Sequence, residues 1–101
     1  MRCSDEQDHT GINKTLEIVG DKWTVPLIHH LVQGKNRFGI LKRSMPGISP
    51  KTLTLRLRKL EADGIIARKV FPEVPLHVEY RLTEKGRSLE KVFQAMHEWG
   101  K

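Results

Sequence analysis

The sequence predicts a mostly helical α+β domain, and three observations support this class. Apolar residues recur every three or four positions in several segments, which is typical of helices with one buried face. Two stretches after residue 64, IIARKVF and HVEYRLT, instead alternate apolar and polar side chains as strands do. The length of 101 residues fits one domain with a modest core.

The first predicted helix follows a polar N-terminus. Residues 1–10 lack apolar periodicity, and we expect them to form a flexible tail in front of a single domain over residues 11–101. The helix carries Ile12 and Leu16 and ends at Gly20.

Two further helices are predicted in the first half of the chain. The second begins near Trp23, because Pro26 is tolerated only in the first turn of a helix, and it ends at Gly34. The third is short, opens at Arg37 and is closed by the Pro-Gly pair at residues 46–47. The chain should therefore turn sharply before its fourth helix.

The fourth helix has clear start and end signals. Ser49 is a good N-cap, and Pro50 stands at the first helical position, where proline is preferred. The helix should run to about Asp63 and end before Gly64. Its buried face is predicted to be one leucine stripe at helical spacing, formed by Leu53, Leu57 and Leu60.

Positive charge is concentrated around this helix. The formal net charge is +6, and residues 35–59 contain eight Lys or Arg residues and no Asp or Glu. A basic block with acidic flanks indicates an anionic partner that one face of the protein contacts. The alternative is an ordinary solvated surface, which the helical pattern of the block disfavours.

The face opposite the leucine stripe combines cations with small and apolar side chains. A helical wheel places Lys51, Leu55 and Arg58 there, flanked by Thr54 and Lys59. Such a face suits the major groove of double-stranded DNA, where Arg58 could read guanine edges and Leu55 could touch a thymine methyl group. Thr54 could bond to a base or a phosphate, and the N–H groups that open the helix could bind a phosphate.

Arg56 differs from the other cations of this helix. It lies about 60° from the leucine stripe. We therefore predict a structural role for Arg56, in which it pairs with an acid.

The two predicted strands form a hairpin beside the fourth helix. The segment between them, FPEVPL, holds two prolines and no Asn-Gly, so we expect a long, stiff tip. A short helix, a tight turn, a basic helix and a hairpin together make a winged helix-turn-helix. Four basic residues alternate along the strands and cannot all face DNA: Arg68, Lys69, His77 and Arg81. We predict contact with the phosphate backbone or the minor groove at the tip, through Leu76 and His77.

The last predicted helix, for which Thr83 is a candidate cap, has a wide apolar stripe. The stripe is formed by Leu89, Val92, Phe93, Met96 and Trp99. It could simply cover the domain's own core. Its width, and the presence of both Trp23 and Trp99 in so small a domain, instead favour contact with a second copy of the chain.

These motifs resemble a known family in their order and spacing. The segments DKWTVPLIHHLVQGKNRFGIL, PGISPKTLTLRLRKLEADGIIARKV and PEVPLHVEYRLTEKG, with the closing EWG, are similar to the HxlR-type winged-helix transcriptional regulators of prokaryotes, relatives of the MarR group. The resemblance runs from about Leu16 to Gly100. It implies a cytoplasmic homodimer, expected to be a repressor, that binds a roughly palindromic operator. It also implies assembly through the first and last helices, with Ile12 and Leu16 in the interface.

The resemblance further implies roles for particular residues. The recognition helix of the family is matched by Ser49, Pro50, Lys51, Thr54, Leu55 and Arg58. The Arg-Phe pair that opens the preceding helix is matched at Arg37, and the wing is matched by residues 75–78. Some relatives sense quinones, electrophiles or oxidants through an N-terminal cysteine, which makes Cys3 a possible redox sensor for an oxidant or another small-molecule effector.

Cys3 departs from the pattern of those sensing relatives. It stands 20 residues before Trp23, whereas their cysteine usually lies closer to the Lys-Trp pair. Arg2 is adjacent, but nearby acids such as Asp5 disfavour the reactive thiolate. A plain exposed cysteine of ordinary reactivity is the alternative.

The sequence contains no convincing site for catalysis, a metal or a cofactor. It has no Gly-rich phosphate loop after a strand, no nucleophile motif and no pair of carboxylates in an apolar setting. Five histidines leave a metal-responsive regulator as an alternative. However, the adjacent His29 and His30 should point to different sides of a helix, and no His-x-x-x-His or Cys-x-x-Cys spacing occurs.

Two further expectations concern the surroundings of the protein. The polar N-terminus is unlike a signal peptide, and no apolar run approaches the roughly 20 residues that cross a membrane, so we expect a cytoplasmic protein without membrane contact. A winged helix that binds a protein instead of DNA is the remaining alternative. The basic face of the fourth helix argues against it.

Overall fold

A computed structural model describes residues 10–101. The elements in chain order are α1 (Thr10–Val19), α2 (Thr24–Val32), α3 (Phe38–Ser44), α4 (Pro50–Ala62), β1 (Ile66–Phe71), β2 (His77–Leu82), α5 (Glu84–Arg87) and α6 (Leu89–Gly100). The predicted mostly helical α+β class is confirmed, as is the two-stranded antiparallel hairpin after the fourth helix.

Two boundaries differ from the predictions. Thr10, which the sequence assigned to the tail, lies in α1. The single last helix is wrong, because Thr83 caps only the short α5, where its hydroxyl accepts from the N–H of Gly86 at 3.1 Å, and α6 begins after Ser88. Within α5, Gly86 lies so close to the Ile65 carbonyl that a Cβ at this position would collide with it.

The core lies between α2, α3, α4 and the base of the hairpin. Its most deeply buried apolar side chains are Leu27, Ile28, Leu41, Leu53, Leu57, Leu60, Ile65 and Ile66. The predicted leucine stripe of α4 is confirmed, because its three leucines are at most 2% exposed. Burial of one such side chain stabilises a fold by about 1.5–3 kcal/mol, so the stripe holds α4 firmly on the core.

Local signals define both ends of α4. The Ser49 hydroxyl accepts a hydrogen bond from the N–H of Thr52 at 3.0 Å, and Pro50 is the first helical residue. Gly47 in the preceding turn and Gly64 after the helix have φ values of +90° and +77°, a conformation that side chains rarely adopt. α3, this turn and α4 form the predicted helix-turn-helix.

The hairpin has a fixed position beside α4. Ile66 pairs with Leu82 at its base, and both side chains are buried in the core. The N–H of Tyr80 donates to the carbonyl of Asn36 at 2.9 Å, which ties β2 to the loop between α2 and α3. The hairpin is therefore a wing held against the helices.

Candidate nucleic-acid interface

The outer face of α4 presents cations that have no partner within the described part of the chain. Lys51, Leu55 and Arg58 are exposed, and Thr54 is half-buried beside them. Between residues 10 and 101, neither Lys51 nor Arg58 forms a side-chain hydrogen bond or an ion pair. Leu55 is 46% exposed, an apolar side chain between two solvated charges. The arrangement fits the helical-wheel prediction for the DNA-facing side.

Arg56, in the middle of the same helix, is half-buried and held by an ion pair within the domain. Its Nη1 lies 3.2 Å from Oδ2 of Asp21, which precedes α2. The sequence-based prediction that Arg56 pairs with an acid is confirmed. Its charge is already compensated and is not part of the outer basic face.

Lys59 also differs from Lys51 and Arg58. Its Nζ lies 2.8 Å from Oδ2 of Asp63, one helical turn further along the chain. It lines a hollow with residues of α1 and α5, among them Lys14 and Lys85, whereas Arg58 lines a different groove. The ion pair sets Lys59 apart from Lys51 and Arg58, and its sequence-based assignment to the DNA-facing set stays a prediction.

The start of α4 offers few free backbone donors. Pro50 has no N–H, and the Ser49 hydroxyl already accepts the N–H of Thr52. The N–H of Lys51 remains available, beside the side-chain ammonium of the same residue. A phosphate at this point would meet one backbone dipole and one full charge. Arg37, at the N-cap of α3, is also exposed.

The register of the hairpin decides which of its basic residues face α4. Side chains alternate between the two faces of the hairpin, so every second residue pair shares a face. The pair Arg68 and Tyr80 therefore lies on the same face as the buried pair Ile66 and Leu82. Arg68 and Tyr80 line a groove of about 340 Å³ with Thr54, Arg58 and Glu61 of α4. Arg68 is therefore the basic residue of the hairpin that extends the outer basic face. The alternation of basic residues in the sequence predicted that some of them would face away from DNA, but it could not tell which ones.

His77, at the edge of the hairpin tip, already has contacts within the hairpin. It is the first residue of β2, where its ring stacks on Phe71 with centroids 4.5 Å apart. Its Nε2 lies 3.4 Å from Oε2 of Glu79. His77 thus borders the tip on the sheet face away from Arg68, and its contact with DNA stays a prediction. Leu76, which is 64% exposed, does project from the tip as predicted.

The acid that binds Arg56 has an altered pKa. Burial raises the pKa of the Asp21 carboxyl. Hydrogen bonds from the Thr24 hydroxyl and from the N–H groups of Trp23 and Thr24, together with the Arg56 charge, outweigh this effect. The pKa of Asp21 therefore lies below its ordinary value, and the carboxylate is ionised at neutral pH.

The histidines do not form a metal site in the part of the chain that the structure describes. Residues 10–101 hold no group of three or more potential ligands. The rings of the adjacent His29 and His30 lie edge to face with centroids 5.9 Å apart, but they have different partners, as expected for side chains that point to different sides of the helix. His29 contacts Gln33, and His30 contacts Lys35. Among the same residues, no helix has the length and apolarity to cross a membrane.

The predicted dimerisation residues fall into two groups. Five are exposed although apolar: Ile12, Leu16, Val92, Met96 and Trp99. The other two, Leu89 and Phe93, are partly buried against the subunit's own core, as is Trp23. The first group forms apolar surface on α1 and α6, and the second belongs to the domain. Cys3, the possible redox sensor, lies outside the described residues.

A helix-turn-helix with a wing, and with unpaired cations on the outer face of its second helix, defines a winged-helix DNA-binding protein. The family model for HxlR-like helix-turn-helix proteins matches residues 18–101. The chain belongs to this family, and it is a transcriptional regulator of the helix-turn-helix class. The resemblance drawn from the sequence motifs is confirmed, and the family is one of regulators, not of enzymes.

Individual relatives cover nearly the same region. The uncharacterized HTH-type transcriptional regulator YybR of Bacillus subtilis (strain 168) is 50% identical over 86 residues, which is 85% of this chain and 69% of YybR. The crystal structure of YtcD is 49% identical, with a TM-score of 0.84 over 88% of this chain and 91% of YtcD. The redox regulator HypR in its oxidized form is 48% identical, with a TM-score of 0.82 over 89% of this chain and 93% of HypR.

Proposed function

We propose that the protein regulates transcription by placing α4 in the major groove of an operator. One observation carries the proposal: α4 buries its leucine stripe in its own core while Lys51 and Arg58, on the outer face, keep no partner within the described residues. Arg58 and Thr54 contact base edges, Leu55 contacts a thymine methyl group, and Lys51 binds a phosphate with its ammonium and N–H. Ser49 and Pro50 bring the start of the helix to the same strand.

The wing adds backbone contacts on one side of α4. Arg68 shares the groove of Arg58 and binds a phosphate, and exposed Leu76 approaches the minor groove at the tip. Arg37, exposed at the start of α3, binds the backbone on the other side of the turn. This division assigns sequence readout to α4 and positioning to the flanking elements.

The regulator acts as a homodimer, and we expect it to be a repressor. The support is the exposed apolar surface of α1 and α6, which includes Ile12, Leu16 and Met96. A groove of about 630 Å³ between α2 and α6, with Val25, Pro26 and Phe93 among its lining residues, is large enough to accept side chains of a second copy. Twofold symmetry would place two α4 helices in successive major grooves, roughly 34 Å apart, on a palindromic operator.

The test is DNA binding by matched arginine variants. Operator fragments are first selected from the source genome with the wild-type protein. Arg58→Ala should then lose about 1–3 kcal/mol of binding free energy and relax preference at one base position. Arg81→Ala, a substitution of an exposed arginine on the other sheet face, is the control and should keep wild-type affinity.

Lys51 gives an independent readout. Lys51→Ala should weaken all sequences alike and lower the slope of log affinity against log salt by about one. Unchanged operator affinity in a folded Lys51→Ala/Arg58→Ala double variant would refute DNA reading by α4. It would also favour the protein-binding winged helix.

An oxidant that acts on Cys3 is the second part of the proposal, favoured by the likeness to the redox regulator HypR. Operator binding should be compared before and after a mild oxidant or a quinone, with Cys3→Ser alongside. Release of DNA by the wild type alone supports sensing through the thiol. Identical behaviour of the two proteins rules it out and leaves a plain cysteine.

A further inference from the structure

The carboxylate of Asp21 contacts both the start of α2 and the middle of α4. Its Oδ1 accepts the N–H groups of Trp23 and Thr24 at 2.9 and 3.0 Å, which caps the start of α2. Its Oδ2 accepts the Thr24 hydroxyl at 2.6 Å and Nη1 of Arg56 at 3.2 Å. One side chain thus caps α2 and binds the middle of α4, 35 residues away.

The neighbouring residues restrict the positions of the Asp21 carboxylate and the Arg56 side chain. Thr24 is only 2% exposed, so the hydroxyl that fixes the carboxylate is itself fixed. The Nε of Arg56 is buried and has no hydrogen-bond partner within residues 10–101. A buried donor without a partner is costly, so Arg56 is kept in this position by what its other nitrogen gains from Asp21.

Asp21 also lies where α1 meets the rest of the domain. Gly20 directly precedes Asp21, and its N–H donates to the Leu16 carbonyl at 2.8 Å. A Cβ at Gly20 would collide with that same carbonyl, so only glycine fits between α1 and Asp21. α1 itself carries the exposed apolar residues Ile12 and Leu16. Asp21 therefore directly follows the junction between α1 and the rest of the domain.

We propose that Asp21 is a positioning residue for DNA recognition, which contributes to the orientation of α4 through its ion pair with Arg56. This inference rests on the proposed reading of DNA by α4. Arg56 stands between Leu55 and Arg58 in the chain but does not itself touch DNA. Its ion pair adds to the buried leucine stripe in setting the rotation of α4 about its axis, and hence the directions of its DNA-facing neighbours.

Electrostatics alone predicts the opposite effect of removing Asp21, which makes the sign of the change decisive. DNA is an anion, so loss of an acidic group from its binding protein should raise affinity. If Asp21 instead positions α4, loss of its charge should lower affinity.

The experiment compares two substitutions that each remove one negative charge beside α4. Asp21→Asn keeps the size of the side chain and an oxygen for the α2 N–H groups but loses the ionic bond to Arg56. Asp63→Asn, the matched control, breaks the 2.8 Å pair with Lys59, which ties α4 only to its own end. Affinity for the selected operator is measured by fluorescence anisotropy at several salt concentrations, and folding is checked by circular dichroism.

Asp21→Asn should lose roughly 2- to 30-fold in affinity, the range over which substitutions within a coupling network act. The salt slope should stay that of the wild type, because no phosphate contact is removed. Asp63→Asn should bind as tightly as the wild type or more tightly. Equal affinity of the two variants would overturn the inference.

Arg56→Gln keeps the inference testable if Asp21→Asn does not fold, because it leaves the α2 cap intact. It should lose affinity to the same extent, with an unchanged salt slope, and the double variant should lose no more than either single one. A slope that falls by about one would instead make Arg56 a direct phosphate contact and overturn the positioning role. If Arg58→Ala loses affinity for the operator, α4 reads DNA as proposed. The results for Asp21→Asn and Arg56→Gln then test the positioning role alone and not the proposed function.

Discussion

α4 and α6 are two apolar-striped helices that the fold treats differently. α4 buries three leucines completely, whereas no residue of α6 is fully buried. On α4 the apolar side is used within the subunit, and the cationic side is left for another molecule. On α6 much of the apolar side is left exposed, up to 90% at Trp99. This contrast is the basis for proposing that α4 reads DNA and that α6 meets a second copy of the chain.

The difference follows from what holds each helix at its ends. α4 lies between a tight turn and the hairpin, both of which pack on the core. α6 follows the short helix α5. Of its apolar stripe, only Leu89 and Phe93 pack against the core. Similar amphipathic patterns therefore give different burial, because neighbouring elements decide how much of each stripe is covered.

The largest expected effect tests the buried side of α4. Leu57→Ala should lower the free energy of unfolding by about 2–5 kcal/mol, since it opens a cavity in a closely packed core. Leu55→Ala, the same substitution at the exposed neighbour, should change stability by less than about 0.5 kcal/mol. Chemical denaturation of both variants measures the contrast. Equal losses would mean that α4 does not have a buried and a free side.

The next effect tests the exposed side of α6. Met96→Asp should weaken dimerisation by about 1–3 kcal/mol or more, because it desolvates a charge in an apolar interface. Met96 is a better choice than Phe93, which also supports the subunit's own core. Sedimentation at micromolar concentration should show monomers.

Lys91→Asp is the control for Met96→Asp, because Lys91 lies on the opposite side of α6 and is exposed. It should leave the dimer intact despite its larger change of charge. A wild-type protein that sediments as a monomer would contradict the interpretation of α6.

The smallest effect concerns the connection between the two regions at Asp21. Its pKa is lowered from an ordinary 3.8, so its ionised form stabilises the fold above that pH. The contribution is lost as pH falls through the lowered pKa of the folded state. The wild type should exceed Asp21→Asn in stability by roughly 0.2–1 kcal/mol between pH 5 and 7, as partly exposed ion pairs do. The difference should shrink below about pH 4. A difference that is constant down to pH 2 would show that the charge of Asp21 does not stabilise the fold.

Most of the helix-turn-helix could be predicted from the sequence. The cap at Ser49, the turn glycine Gly47 and the leucine stripe of α4 are signals between residues close together in the chain. The internal pairing of Arg56 was also predictable, because its angle on the helix places it beside the stripe. Its partner was not, since Asp21 lies 35 residues earlier and nothing local identifies it.

The sequence by itself determined the elements, the buried stripe and the basic outer face, because caps, turns and periodicity act between residues within one or two helical turns. The tertiary structure alone decided which hairpin residues face α4. The buried pair of Ile66 and Leu82 sets the phase that turns Arg68 toward the helix and His77 away from it. It also decided that Gly86 of α5 would pack on the Ile65 carbonyl. These outcomes depend on contacts between distant segments, which exist only once the chain has folded.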